Sequence, residues 1–139
     1  MSSFDPERWL DVAEACCGRI VGVDEEARLR TALNRAYYAA LLSVRQRIEH
    51  AQGSRAVPRS RSHAAILGAL RAGGAGFIKI HDSLQRLRAR REAADYELRT
   101  QPLVESKVQT EIERSRALIR TRIKALPDAE FRRLVISKT

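Results

Sequence analysis

The chain has 139 residues, of which 44% are hydrophobic and 31% charged, and its formal net charge is +9. This length predicts one domain with its own hydrophobic core, and this apolar content argues against a disordered chain. The positive charge favours a polyanionic partner. Because no stretch is long and apolar enough to enter a membrane, nucleic acid is the favoured partner and no membrane association is expected. The rival interpretation is a soluble helical protein that is basic for no functional reason.

The cysteines and the N-terminal residues predict a reduced, cytoplasmic protein. The opening segment MSSFDPERW lacks a basic region followed by an apolar core, so we expect no secretory signal. Cys16 and Cys17 are adjacent and cannot join distant segments, and the three histidines are widely spread. We therefore expect two thiols on the first helix, with no metal site and no cofactor.

Capping residues, prolines and glycines divide the chain into helices. The predicted helices run from Pro6 to Gly18, from Asp24 to about His50, from about Ser62 to Gly73, from about Phe77 to Leu98 and from Pro102 to Pro127. No run alternates convincingly between apolar and polar residues, so no strand is expected. The predicted fold is all-α, an up-and-down bundle of four or five helices with a long second helix. Residues 1–126 would form a single domain, and residues 127–139 a tail that is either a short docked helix or mobile.

The fourth predicted helix carries an arginine on its apolar face. The positions of this face recur in alternating steps of three and four: Phe77, Ile80, Leu84, Leu87, Arg91, Ala94 and Leu98. Because an unpaired guanidinium is costly to bury, Arg91 should either be paired or line a polar cleft. It could form a packing bridge with Asp95, one turn further on, or bind a phosphate through its bidentate fork.

An asparagine interrupts the second predicted helix in a similar way. Asn34 falls on an apolar stripe, with Arg35 and Tyr38 on its flank; the stripe continues through Tyr37, Leu41, Val44 and Ile48. A buried asparagine needs several hydrogen-bond partners. Tyr37 and Tyr38 are either core aromatics with satisfied hydroxyls or part of a polar cleft.

Basic residues cluster before the third helix and within the fourth. They are Arg55, Arg59, Arg61 and His63 in the first cluster, and Arg86, Arg88, Arg90 and Arg91 in the second. These clusters are either solvated faces or a surface that follows an RNA backbone with strong salt dependence. The second cluster wraps around its helix, so only part of it can form one patch.

Three segments resemble motifs of HEPN domains (higher eukaryotes and prokaryotes nucleotide-binding). Leu33–Ala40 resembles the S-R-A-Y-Y-A core of the family's second helix, and Ser62-His63 resembles the S-H that opens its next helix. The segment 87–96, LRARREAADY, resembles the signature L-R-x-x-R-x-x-A-D-Y. Order and spacing agree, and the resemblance extends from about Asp24 to Leu126.

The resemblance implies a helical bundle, commonly a homodimer with the motif helices near a shared cleft. It also implies RNA or nucleotide handling in a prokaryotic toxin–antitoxin or antiviral defence system. Many HEPN proteins are metal-independent ribonucleases in which a motif arginine is followed, four to six residues later, by a histidine that activates the ribose 2′-hydroxyl. Others lack this histidine and act as toxin, antitoxin or substrate-binding partner beside a minimal nucleotidyltransferase. Here Arg91 matches the motif arginine, but no histidine follows it, and Asp95 and Tyr96 occupy that region.

The resemblance and the interrupted stripes together give a set of candidate site residues. The candidate catalytic residues are Arg91, Asp95 and Tyr96, and the candidate RNA- or nucleotide-binding residues are Asn34, Arg35, Tyr38, His63 and Arg88. If the protein is an endoribonuclease, we expect Asp95 or Tyr96, either alone or with His63, to replace the missing histidine in proton transfer. The alternatives are a non-catalytic partner of a nucleotidyltransferase or other effector encoded nearby, and a purely structural helical oligomer.

Overall fold

A computed structural model describes residues 4–18, 20–96 and 103–137, without the side chains of residues 95 and 96. Within these ranges all regular structure is helical. A 3₁₀ turn, Pro6–Arg8, leads into α1 (Trp9–Cys17), followed by α2 (Glu25–Gln52), α3 (Ser62–Ala72), α4 (Ala75–Tyr96), α5 (Glu105–Leu118) with a π-helical turn (Ile119–Ile123), and α6 (Asp128–Arg132). The predicted all-α bundle with a long second helix is confirmed. None of the described helices is both long enough and apolar enough to cross a bilayer.

Capping side chains account for the beginnings of the first two helical segments, as predicted. Asp5 accepts a hydrogen bond from the backbone N–H of Glu7 at 3.0 Å, and Asp24 accepts one from that of Ala27 at 3.1 Å. The fourth helix begins at Ala75, two residues before the predicted start at about Phe77. Gly74, with a φ of 100°, makes the turn from α3, and α4 begins directly after it.

The long helix α2 is the axis of the bundle and packs against α1, α4, α5 and α6. Its predicted apolar stripe from Tyr37 to Ile48 is buried, and a second face of small residues, including Ala32, Ala36 and Ala40, is buried as well. The small residues let neighbouring helices approach closely. On α5, the fully buried Ser115 hydroxyl donates a 2.7 Å hydrogen bond to the backbone oxygen of Ala36.

The recurrence of Trp9, Val12, Ala13 and Cys16 at helical spacing predicts the inner face of α1, and the structure bears this out only for Ala13. Leu10, Ala13 and Cys17 form its inner face, and the side chain of Val12, which was expected inside, is 40% exposed. Burial raises the pKa of the Cys17 thiol, which is therefore a neutral core residue. On α4 the prediction is confirmed for the described positions: the apolar members of the Phe77–Ala94 stripe are buried, and Leu98 lies outside the described residues.

Of the two alternatives for the C-terminal tail, its described part is a short helix packed on the core. Phe131 of α6 is fully buried, with its ring centroid 5.2 Å from that of Phe77. The guanidinium carbon of Arg47 lies 4.5 Å from the Phe131 ring centroid, and its Nη2 donates to Asp128 at 2.9 Å. Gln52 donates to the backbone oxygens of Phe131 and Leu134, both at 2.8 Å. The core thus continues past residue 126.

Candidate functional site

Arg91 points inward from α4 onto the tyrosine pair of α2. Its guanidinium carbon lies 5.0 Å from the Tyr37 ring centroid and 5.5 Å from that of Tyr38, within the range of cation–π attraction. Nη1 donates a 3.4 Å hydrogen bond to the Tyr38 hydroxyl, and the buried Nε has no hydrogen-bond partner. A buried guanidinium N–H without an acceptor costs free energy. A ligand that supplies a hydrogen-bond acceptor to this N–H would remove the cost.

His63 enters the same site from the first turn of α3. Its Nδ1 lies 3.1 Å from the Tyr37 hydroxyl, and its ring meets that of Tyr38 edge-on, with centroids 5.4 Å apart. The residue before the helix, Arg61, has a left-handed φ of 59°, which is uncommon outside glycine and sets the direction in which α3 begins. We call Tyr37, Tyr38, His63 and Arg91 the aromatic–arginine cluster.

The environment of the cluster keeps Tyr37 and His63 neutral near pH 7. Burial raises the pKa of the Tyr37 hydroxyl, which therefore remains a hydrogen-bond donor. Burial, followed by the positive charges of Arg91 and Arg88, lowers the pKa of His63 below its ordinary 6.5. If Tyr37 donates to Nδ1, the neutral imidazole carries its hydrogen on Nε2; this tautomer is inferred from the hydrogen-bond pattern.

This arrangement presents hydrogen-bond donors and positive charge, the features that an anion requires. A phosphate oxygen would pair with the free Nε–H of Arg91 and with the Tyr38 hydroxyl. Its negative charge would offset the repulsion that Arg91 and Arg88 exert on a protonated His63, so phosphate binding would raise the pKa of this histidine. The histidine could then take up a proton beside the bound phosphate.

Two other predicted binding residues lie beside the cluster. Arg88 is half-buried, pairs with Glu92 at 2.9 Å and contributes to the lowered pKa of His63. Asn34 is half-buried on α2, one helical turn before Tyr38. Both positions fit a polar rim around the cluster.

The structure places Arg35 away from this group. Its guanidinium carbon lies 4.7 Å from the ring centroid of Trp9, which precedes it on α1.

Asp95 and Tyr96 belong to the last turn of α4, and their side chains lie outside the described residues. The Arg91–Asp95 bridge and the catalytic roles of both residues therefore stay predictions. Sequence reasoning did not include Tyr37 among the site residues.

The sequence allows Tyr37 to be either a core aromatic or a cleft residue, and the structure gives it both properties. It is fully buried, yet its hydroxyl forms the link to His63. A buried tyrosine needs a partner for its hydroxyl, and this requirement is the signal that could have connected it with a histidine elsewhere in the chain. Across the described ranges no three histidine, cysteine or acidic side chains converge in a way that could hold a metal ion.

Comparison with known proteins gave no significant match, whether to a protein-family model, to a curated protein or to a solved structure. The resemblance to HEPN domains therefore remains a prediction from the motifs.

The lowered pKa of His63 predicts a pH dependence of stability. The folded state binds a proton more weakly than the unfolded state, so the contribution of His63 is complete above pH 6.5 and is lost as the pH falls below this value. We expect the free energy of unfolding of the wild type to fall more steeply between pH 7.5 and pH 5.5 than that of His63→Gln, as measured by urea unfolding. His50→Gln is the matched control, because its side chain is 72% exposed. Parallel pH profiles for the wild type and His63→Gln would contradict the prediction.

Proposed function

We propose that this protein binds RNA or a nucleotide at the aromatic–arginine cluster, as a HEPN-type component of a prokaryotic toxin–antitoxin or defence system in the cytoplasm. The observation that carries the proposal is the buried, unpartnered Nε of Arg91 next to the Tyr38 hydroxyl and the neutral His63. Arginine presents a planar fork that matches two phosphate oxygens. The net charge of +9 supports a polyanion as the ligand.

The same residues support metal-independent cleavage of RNA as the catalytic form of this function. In that reaction His63, in the tautomer that carries its hydrogen on Nδ1 and donates it to the Tyr37 hydroxyl, would use its free Nε2 to remove the proton from a ribose 2′-hydroxyl, whose oxygen attacks the adjacent phosphorus. The new O2′–P bond replaces the P–O5′ bond, and the departing 5′ oxygen takes a proton from an acid, for which Asp95 and Tyr96 are the sequence candidates. Arg91 and Tyr38 would stabilise the charge on the phosphate oxygens.

The second candidate function is that of a non-catalytic partner, an antitoxin or substrate-binding subunit, of a nucleotidyltransferase or other effector encoded nearby. One observation favours it: the histidine of the cluster comes from α3 and has its Nδ1 engaged by Tyr37, and no histidine follows Arg91. In both cases we expect a homodimer, in which a two-fold axis would bring two copies of the cluster close together.

One assay separates the candidate functions. The purified protein is incubated with mixed RNA in the presence of EDTA and compared with Arg91→Ala and with the control Arg71→Ala, which removes the same charge from an exposed position on α3. Cleavage that disappears only in Arg91→Ala supports the ribonuclease, and RNA retention without cleavage that is lost only in Arg91→Ala supports the binding partner. If folded Arg91→Ala equals the wild type in both respects, the cluster is only a packing device and the proposal is wrong.

A further inference from the structure

A second polar site lies in a groove of about 200 Å³ between α4 and the C-terminal part of α5. The groove is lined by Ser83, Arg86, Leu87, Glu111, Arg114, Ala117, Leu118, Thr121 and Arg122. Three arginines thus face one carboxylate. In the described part of the chain Arg86 and Arg122 form no ion pair, so the groove carries excess positive charge.

Glu111 is the unusual residue of this groove. It is 6% exposed, and its Oε1 is engaged by Arg114 at 2.7 Å, with the Nε of Arg90 at 3.8 Å. Its Oε2 is buried and has no hydrogen-bond partner. A buried carboxylate oxygen left without a donor costs free energy, and a ligand that supplies an N–H group would remove this cost.

The backbone is also irregular at this groove. The π-helical turn Ile119–Ile123, closed by the Lys124 N–H to Ile119 oxygen bond of 2.8 Å, interrupts the regular geometry after α5. It keeps Ile119 and Ile123 in the core while Thr121 and Arg122 line the groove. Single π turns within helices occur frequently at functional sites.

We propose that this groove binds a mononucleotide, with an N–H group of its base on Glu111 and its phosphate on Arg86, Arg114 and Arg122. A simple anion would satisfy the arginines but would be repelled by the carboxylate and would leave Oε2 unpaired. A nucleotide satisfies both, because acidic side chains accept hydrogen bonds from base amino groups and arginines bind phosphate. Arg114 is half exposed and bonds only Oε1, so it can keep that ion pair and turn its remaining N–H groups to the phosphate, while the base N–H pairs with Oε2. This inference goes beyond the proposed function and does not depend on the aromatic–arginine cluster.

The test measures the binding of GMP and of ribose 5-phosphate, which lacks the base, by isothermal titration calorimetry at low ionic strength. We expect GMP to bind at least 10-fold more tightly than ribose 5-phosphate. The variant Glu111→Gln should weaken GMP binding about 10-fold, which corresponds to about 1.4 kcal/mol, because it replaces a charged hydrogen-bond acceptor with a neutral one. The same variant should leave the binding of ribose 5-phosphate unchanged or strengthen it, because it removes a negative charge.

A second variant tests the groove independently if Glu111→Gln fails to fold. Arg122 is exposed, and Arg122→Ala should weaken both ligands by a similar factor. Every titration is repeated in the Arg91→Ala background, where binding at the aromatic–arginine cluster is removed and binding at the groove should persist. Equal affinities for GMP and ribose 5-phosphate, no measurable GMP binding, or GMP binding that vanishes with Arg91→Ala alone would each overturn the proposal. None of these results would decide whether the cluster handles RNA, which the EDTA assay tests independently.

Discussion

Replacing Phe131 with alanine should lower the free energy of unfolding by about 3–5 kcal/mol, the range typical of a large aromatic removed from a core. Phe131 is fully buried, stacks edge-on against Phe77 and lies under the guanidinium of Arg47. The truncation therefore leaves a cavity and removes both ring contacts. It also loosens α6, whose five residues can contribute only little helical stability of their own.

Thermal unfolding followed by circular dichroism measures this effect. With about 3 °C per kcal/mol for a chain of this size, Tm should fall by about 9–15 °C. Val135→Ala is the control within the same segment, since Val135 is 83% exposed, and it should leave Tm within about 2 °C of the wild type. If Phe131→Ala behaves like Val135→Ala, the tail is not part of the folded core in solution.

Local chemistry in the sequence was sufficient to predict most of the fold. Asp5 and Asp24 are N-caps by residue type, and the apolar spacing from Phe77 to Ala94 permits only one inner face for α4. The stripe of α1 could not be assigned with the same certainty, because this short helix offers several overlapping apolar rows. Only packing against α2 decides that Leu10 and Cys17 lie inside and Val12 does not.

The candidate site was predictable only in part. The inward direction of Arg91 follows from its place on an apolar stripe, and the structure places it against Tyr37 and Tyr38. The link between Tyr37 and His63 joins residues 26 positions apart, and depends on how α3 packs, which no local pattern encodes. Closeness in the sequence can also mislead. Arg35 is near the motif tyrosines in the chain, yet its guanidinium stacks on Trp9.

The groove between α4 and α5 could not be predicted from the sequence. Glu111 and Ser115 are the buried polar residues of α5, and nothing in the sequence pattern distinguishes their roles. Ser115 has a partner in the backbone of Ala36, whereas one oxygen of Glu111 has none. Only the complete set of hydrogen bonds distinguishes a satisfied core residue from one that can receive a ligand.

Replacing Arg91 with lysine should weaken RNA retention by at least about 10-fold, although the positive charge is kept. Lysine offers a compact ammonium group and lacks the planar fork that can stack against the two tyrosine rings and bind two phosphate oxygens together. Arg91→Ala should weaken RNA retention further, by about 100-fold. Filter-binding titrations with a fixed single-stranded RNA measure both, and Arg71→Lys on the exposed face of α3 is the matched control.

The salt dependence of binding separates the charge of Arg91 from its shape. For single-stranded RNA, each phosphate contact contributes about 0.7 to the slope of log affinity against log salt concentration. Arg91→Lys should therefore keep the slope of the wild type while losing affinity, and Arg91→Ala should reduce the slope by about 0.7. A lysine variant that matches the wild type in both affinity and slope would show that Arg91 contributes only charge. This result would contradict a bidentate contact with the phosphate, which requires a guanidinium.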